Sequence, residues 1–177
     1  MLLSRIAARL SDHDRRLFFL FNHKLNHAVI RKLLGRLTHM GGAAATIATT
    51  LGIWLFASKP LSTVGMQAFV ALAASHIPVA VVKRMYPRLR PYLVLPNCTT
   101  GSKLLRDASF PSGHTTAIFS VISPFVIAFH WIGFILIPVA MMVGISRMTL
   151  GLHYPSDVAA GCVIGCATAA CTVAFLG

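Results

Sequence analysis

The chain has 177 residues, of which 56% are hydrophobic and only 11% charged, where a soluble domain carries about a quarter charged residues. Sixteen Lys and Arg stand against four acids, Asp12, Asp14, Asp107 and Asp157, giving a net charge of +12. This balance excludes an ordinary water-facing surface. It points to a single domain that presents much of itself to lipid. Net positive charge often marks nucleic-acid binding, but these basic residues lie between long apolar runs. Membrane lipid or a phosphorylated substrate is therefore the expected partner, and nucleic acid is not. Acids this scarce are a poor basis for a magnesium or two-metal centre, so no metal or other cofactor is expected.

Arg5 and Arg9 begin like a basic leader, but Asp12, Asp14, Arg15 and Arg16 interrupt what would be the apolar part of a secretory signal. Phe18, Phe21, Leu25, Val29, Leu33 and Leu37 then recur at helical spacing, with Lys24, Arg31, Lys32 and Arg36 on other faces. This predicts basic amphipathic helices over residues 1–40 lying at the membrane interface, divided near Phe21-Asn22-His23. Five apolar runs follow over residues 41–177: Ala43–Ser58, Thr63–Val82, Ser112–His130, Trp131–Ile145 and Pro155–Leu176. Each approaches the roughly 20 residues a spanning helix needs. Pro78, Pro124 and Pro138 inside them are tolerable where neighbours repair the backbone bonding. The expected architecture is an all-α, polytopic membrane helix bundle of about five transmembrane helices.

One long polar stretch, Lys83–Phe110, interrupts the apolar runs; a loop of that length in a compact domain is usually functional. Within it Arg84, Arg88, Lys103 and Arg106 are expected as headgroup contacts or solvated charges, with Arg88 or Arg106 as candidates for a second phosphate. Tyr86 and Tyr92 suit interface anchors. His76 and His130 are expected to pack or lie at the interface. Cys162, Cys166 and Cys171 read as small buried packing residues, and Cys98 stands alone in the loop.

Three clusters stand at span ends. They are Lys83 to Arg90-Pro91, then Pro111-Ser112-Gly113-His114, then Ser146-Arg147 followed by His153 and Asp157. With five spans all three share one side of the membrane and can meet in one pocket. Lys83, Arg90 and Arg147, with hardly an acid nearby, make sense only around an anion of about two charges. Ser112 suits an N-cap and Gly113 a close backbone approach, so the helix start after them is an anion cradle. Asp157, in the first turn of the helix opened by Pro155, is placed to fold back onto His153. There it fixes the tautomer and makes the other ring nitrogen a better nucleophile. His114 is placed across the phosphate to protonate the leaving oxygen.

In order and spacing these residues resemble the type 2 phosphatidic acid phosphatase (PAP2) family, whose pattern is Lys-x6-Arg-Pro, Pro-Ser-Gly-His and Ser-Arg-x5-His-x3-Asp. Every defined position is matched, and the likeness spans about residues 63 to 176. The resemblance implies a metal-independent phosphatase in which His153 attacks phosphorus, Asp157 orients it and His114 is the general acid. Lys83, Arg90, Arg147 and the backbone of Ser112 and Gly113 then hold the phosphoryl oxygens. Short bacterial members that resemble this chain include undecaprenyl pyrophosphate phosphatases, the preferred reading, with phosphatidylglycerophosphate and phosphatidic acid phosphatases as alternatives. Two further readings are a catalytically inactive lipid-binding or transport protein and a haloperoxidase with the same pocket pattern. The resemblance implies a multi-pass cell-membrane protein with its site on the extracytoplasmic face. The eight Lys and Arg before the first span point the other way by the positive-inside rule. The motif leaves the lipid tail and the oligomeric state open.

Overall fold

The computed structural model describes residues 2–25, 27–101 and 104–177, with side chains from residue 11 onward. Lys103 and the side chains of Arg5 and Arg9 lie outside the described residues. The fold is all helical: α1 (Leu2–Lys24), α2 (Ala28–Leu37), a 3-10 turn (Thr38–Gly41), α3 (Ala43–Phe56), α4 (Leu61–Met85), a short α5 (Pro91–Val94), α6 (Gly113–Ala128), α7 (Gly133–Thr149) and α8 (Pro155–Leu176).

All five apolar runs are helices, and Pro78, Pro124 and Pro138 lie inside unbroken ones. Leu61–Met85, His130–Thr149 and Pro155–Leu176 are long and apolar enough to cross a membrane. The other two of the five apolar helices, α3 and α6, are shorter, with 14 and 16 residues. At 1.5 Å per residue these reach roughly 21 and 24 Å, short of a hydrocarbon core of about 30 Å. The tight link expected between the third and fourth runs is Phe129 and a 3-10 turn over His130–Ile132.

The short α6 is the centre of the bundle. Nearly every residue from Thr115 to Phe125 is buried. Ile118, Phe119 and Ile122 pack on Ala140 and Val143 of α7. On the other side Ala117 and Val121 meet Leu72 of α4, and Phe125 meets Val64 and Ala68. Buried hydroxyls along these helices bond back to the preceding turn, as Thr116 Oγ1 does to Ser112 O at 3.0 Å and Ser120 Oγ to Thr116 O at 2.8 Å. Apolar surroundings thus meet no bare polar groups there.

Helix α8 lies against α6 along a glycine seam. A Cβ on Gly161 would stand 2.7 Å from Ser112 O, and one on Gly165 would stand 2.6 Å from Thr116 O and 2.9 Å from Phe119 Cβ. Small residues one turn apart let two backbones touch, which is how helices pack where lipid offers no hydrophobic drive. Gly165→Leu is therefore expected to destabilise the protein by about 1–3 kcal/mol or more. Gly52→Ala, where an added Cβ meets nothing within 4 Å, is expected to leave it intact. Melting temperatures in detergent compare the two.

The N-terminal helices differ from expectation in detail. Helix α1 runs unbroken through Phe21-Asn22-His23 to Lys24, so the division falls three residues later than the sequence suggests. Asn22 does not break the helix because its side chain is buried, with Nδ2 donating to Thr149 O at 3.0 Å and Thr99 O at 2.8 Å. Phe18 is fully buried and its ring lies 5.7 Å from that of Tyr154. Farther along the same apolar stripe, Val29 and Leu33 are 79% and 55% exposed. The stripe therefore splits: its first part docks α1 onto α7 and α8, and its second part faces outward.

Candidate active site

The site is assembled where α6 begins, α7 ends and α8 begins. The chain leaving α7 stays curled, because the N–H groups of Leu152 and His153 both donate to Arg147 O, at 3.0 and 3.2 Å. Gly151 makes this turn with φ +74, and a Cβ there would stand 2.7 Å from Thr99 O, so only glycine suits it. Pro155 occupies the first turn of α8, and Asp157 Oδ2 accepts the N–H of Tyr154 at 2.8 Å. The N–H of Ser112 donates to Asp157 O at 3.0 Å, which locks the start of α6 to the start of α8.

His153 is buried, at 1% exposure. Its Nε2 lies 3.0 Å from Arg90 Nη1, and its Nδ1 faces Asp157 Oδ2 at 3.6 Å, ion-pair range but longer than a hydrogen bond. A guanidinium can only donate, so Nε2 presents its lone pair and the ring proton of the neutral imidazole sits on Nδ1, toward the carboxylate. Burial pushes the His153 imidazole down to about 4; Asp157 opposes this, and the cations Arg147 and Arg90 reinforce it. At neutral pH the ring is thus an uncharged base with its lone pair aimed at a guanidinium.

Arg90 is itself almost fully buried. It donates from Nε to Asp107 O at 2.8 Å, from Nη1 to Leu152 O at 2.9 Å, and from Nη2 to Asp107 Oδ1 at 2.8 Å. Lys83 pairs with Asp107 as well. Burial raises the Asp107 carboxyl, but its hydrogen bond to Lys83 and the charges of Lys83 and Arg90 hold it down to about 2. The expectation of three cations with hardly an acid nearby is corrected here, since Asp107 sits between two of them. Arg147 is the exception. Its Nη1 donates to Thr38 Oγ1 at 2.9 Å, while Nε and Nη2 are buried without a hydrogen-bond partner.

Those donors belong to a cavity of about 300 Å³ lined by Thr38, His39, Leu105, His114, Arg147 and Leu152. Helix α6 opens beside it without a side-chain cap. Ser112 stands at the N-cap position, but its hydroxyl pairs with Thr115 Oγ1 at 2.9 Å instead of capping the helix. Nothing would obstruct a Cβ on Gly113 within 4 Å, so the backbone there is open to a ligand. A second cavity of about 320 Å³ is apolar, with Met40, Thr46, Ile53, Ile118, Phe125 and Leu136 among its walls. Met40 directly follows His39 of the first.

The structure therefore brings Arg90, His153 and Asp157 into direct array, with His114 and Arg147 on the adjoining cavity and Ser112 and Gly113 at the helix start. Lys83 does not line that cavity and reaches the site through Asp107. Other readings change. Arg88, expected as a headgroup contact, a solvated charge or a second-phosphate ligand, is engaged by Asp157 Oδ1 at 2.8 Å and Asp14 Oδ2 at 2.6 Å. Tyr92 fastens the long loop through Leu105 O at 2.6 Å. His76 bonds within its own helix to Leu72 O at 2.8 Å. Cys162 and Cys166 pack on the core, but Cys171 is exposed. Sequence reasoning missed Asp14, Asn22, Thr38, and Ser109, whose Oγ donates to Asp157 Oδ2 at 2.5 Å. Scarcity was the available signal for Asp14: in a chain with four acids, each one amid excess cations is expected to be engaged.

Residues 64–177 match the PAP2 superfamily model. The chain is 33% identical over 113 residues to the bacitracin transport permease protein BcrC of Bacillus licheniformis, which covers 63% of this chain and 55% of that protein. It is 30% identical over 118 residues to the undecaprenyl-diphosphatase BcrC of Bacillus subtilis, covering 64% of this chain and 58% of that one. The matches thus span little more than half the length of these relatives. The fold is similar to the crystal structure of the first transmembrane PAP2 type phosphatidylglycerolphosphate phosphatase from Bacillus subtilis. There the TM-score is 0.77 at 20% identity, over 94% of this chain and 86% of that one. With a family model matched over most of its length and all three motif clusters gathered at one site, the chain belongs to the PAP2 superfamily.

Proposed function

We propose that this protein is a metal-independent membrane phosphatase that hydrolyses a lipid phosphate or pyrophosphate through a phosphohistidine on His153, with undecaprenyl pyrophosphate the preferred substrate. The observation that carries this reading is a buried His153 with Nδ1 toward Asp157 and Nε2 toward Arg90, beside a cavity into which Arg147 brings unpartnered donors. In the first step Nε2 of His153 attacks phosphorus. The bond to the leaving oxygen breaks as His114 protonates it. Arg90 turns from Nε2 to the phosphoryl oxygens, which Arg147 and the open start of α6 also hold. In the second step His114 takes a proton from water, the water oxygen attacks phosphorus, and the N–P bond breaks to release phosphate and free His153. Asp157 offsets the positive charge that appears on the imidazole in both steps.

The apolar cavity beginning at Met40 supports a lipid-tailed substrate, and the match to an undecaprenyl-diphosphatase supports the pyrophosphate. Phosphatidylglycerophosphate and phosphatidic acid remain the alternatives to be compared. Phosphate release by purified protein across a panel of these lipids tests the reading, and no release from any of them would overturn it. Activity is expected to persist in EDTA and to be lost in vanadate, whose trigonal bipyramidal form imitates the transferring phosphoryl group. Release of phosphate also separates a phosphatase from an inactive transporter, and an absence of bromide oxidation separates it from a haloperoxidase.

We further propose a cell-membrane location with the site facing the extracytoplasmic side and residues 1–40 lying at the interface. The exposed Val29 and Leu33 and the basic residues between them support the interfacial placement. A membrane-impermeant maleimide applied to cells carrying Thr100→Cys, with Cys98→Ser and Cys171→Ser to remove background, reports the side. Labelling only after permeabilisation would put the site in the cytoplasm.

A further inference from the structure

The carboxylate behind the nucleophile has a partner that the motif does not contain. Asp157 is fully buried. Its Oδ2 receives Ser109 Oγ and the Tyr154 N–H and faces His153, while its Oδ1 accepts Arg88 Nη1 at 2.8 Å. The guanidinium carbon of Arg88 lies over the Tyr154 ring, 3.9 Å from its centroid. Its Nη2 reaches Asp14 Oδ2 at 2.6 Å, and Asp14 in turn accepts the Ser156 N–H at 2.9 Å and Ser156 Oγ at 2.6 Å. Asp14 is 8% exposed and sits on α1, fifty residues before the segment that matches the family model.

A guanidinium alone on Asp157 would cancel the charge that the carboxylate offers to His153. Two carboxylates sharing one guanidinium leave a net charge of −1, matching the single positive charge that His153 gains when its Nε2 bonds to phosphorus. The other charged or titratable groups facing that ring are Arg90, Arg147 and His114, none of them an acid. We infer that Asp14 is a positioning residue, which by holding Arg88 from behind keeps Asp157 electrically effective toward His153. This inference rests on the phosphohistidine reading and deepens it. Asp14 touches no phosphate-binding group, so it acts on the chemical step and not on substrate binding.

Asp14→Asn preserves size and the bond from the Ser156 N–H but brings the net charge of the Asp14–Arg88–Asp157 set to zero. Its kcat is expected to fall about tenfold, equivalent to one pKa unit of lost support for the charged imidazole, with KM unchanged. Asp14→Asn combined with Arg88→Gln returns the set to −1 and is expected to recover much of that loss. A merely structural tie predicts the reverse, since the double variant removes more contacts. Unchanged kcat in Asp14→Asn, or a double variant as impaired as Asp14→Asn or worse, would overturn the inference. Vanadate binding, read as thermal stabilisation, needs no turnover and is expected to rank the same way: wild type strongest, Asp14→Asn weakest, the double variant between. If wild type releases no phosphate, the proposed function fails, while an absence of this ranking in vanadate fails the relay by itself.

Discussion

His153→Ala is expected to abolish phosphate release while the protein still folds and inserts. In the proposed mechanism the variant removes the atom that bonds to phosphorus, and neither the cations of the site nor Asp157 can take its place. Arg90, Arg147 and Lys83 carry no lone pair to offer at neutral pH, and Asp157 lies on the far side of the ring at 3.6 Å from Nδ1. Removing a covalent nucleophile from a preorganised site costs on the order of 10⁴-fold or more in kcat. Folding should survive because His153 contributes no bond that holds two helices together beyond its contact with Arg90, which keeps Leu152 O and Asp107. Initial rates of phosphate release, with circular dichroism and gel filtration in detergent as the folding control, check both parts. A His153→Ala variant with full activity would end the mechanism.

Arg147→Met is expected to lose activity by about 10³-fold, in the range for removing a preorganised donor from a developing phosphoryl charge, and yet to melt no lower than wild type. The second half follows from the unpartnered donors. A guanidinium at 3% exposure with Nε and Nη2 unpartnered is an unfavourable group to bury. Met fills similar length without charge and gives up only the bond to Thr38. The cation's benefit comes when an anion enters. Phosphate or vanadate should therefore raise the melting temperature of wild type and have little effect on Arg147→Met. Thermal scans with and without vanadate, beside turnover assays, test the pair. A steep loss of stability in Arg147→Met would show Arg147 to be a structural residue instead.

The convergence of the three clusters was legible because each sits at the end of an apolar run, and the number of runs fixes which ends share a side. Helix α8 was legible to the residue: Pro155 suits the first turn of a helix, and no charged residue interrupts the run from Val158 to Leu176. Boundaries that depend on tertiary contact were less legible. Helix α4 continues past Val82 to Met85, carrying Lys83 to Asp107. The break after α1 was misplaced because Asn22, a poor helix residue by itself, is held in the helix by carbonyls from distant parts of the chain. Asp14, Thr38 and Ser109 carry no motif. Their partners lie 142, 109 and 48 residues away, and such pairings leave no local trace in composition or periodicity.

Docking of α1 and the turn after α2 onto the later helices bears on how this protein can be dissected. A recombinant version beginning at Gly42 would contain every residue of the three-part signature and the five apolar helices. It would also strip the acceptor from one guanidinium nitrogen of Arg88, the hydroxyl from Arg147 and the amide from Thr149 O. Each buried group left bare costs about 1–3 kcal/mol, a large share of a typical folding stability of 5–15 kcal/mol. Such a fragment should yield an inert and fragile protein, and supplying residues 1–41 as a separate peptide should restore part of what was lost.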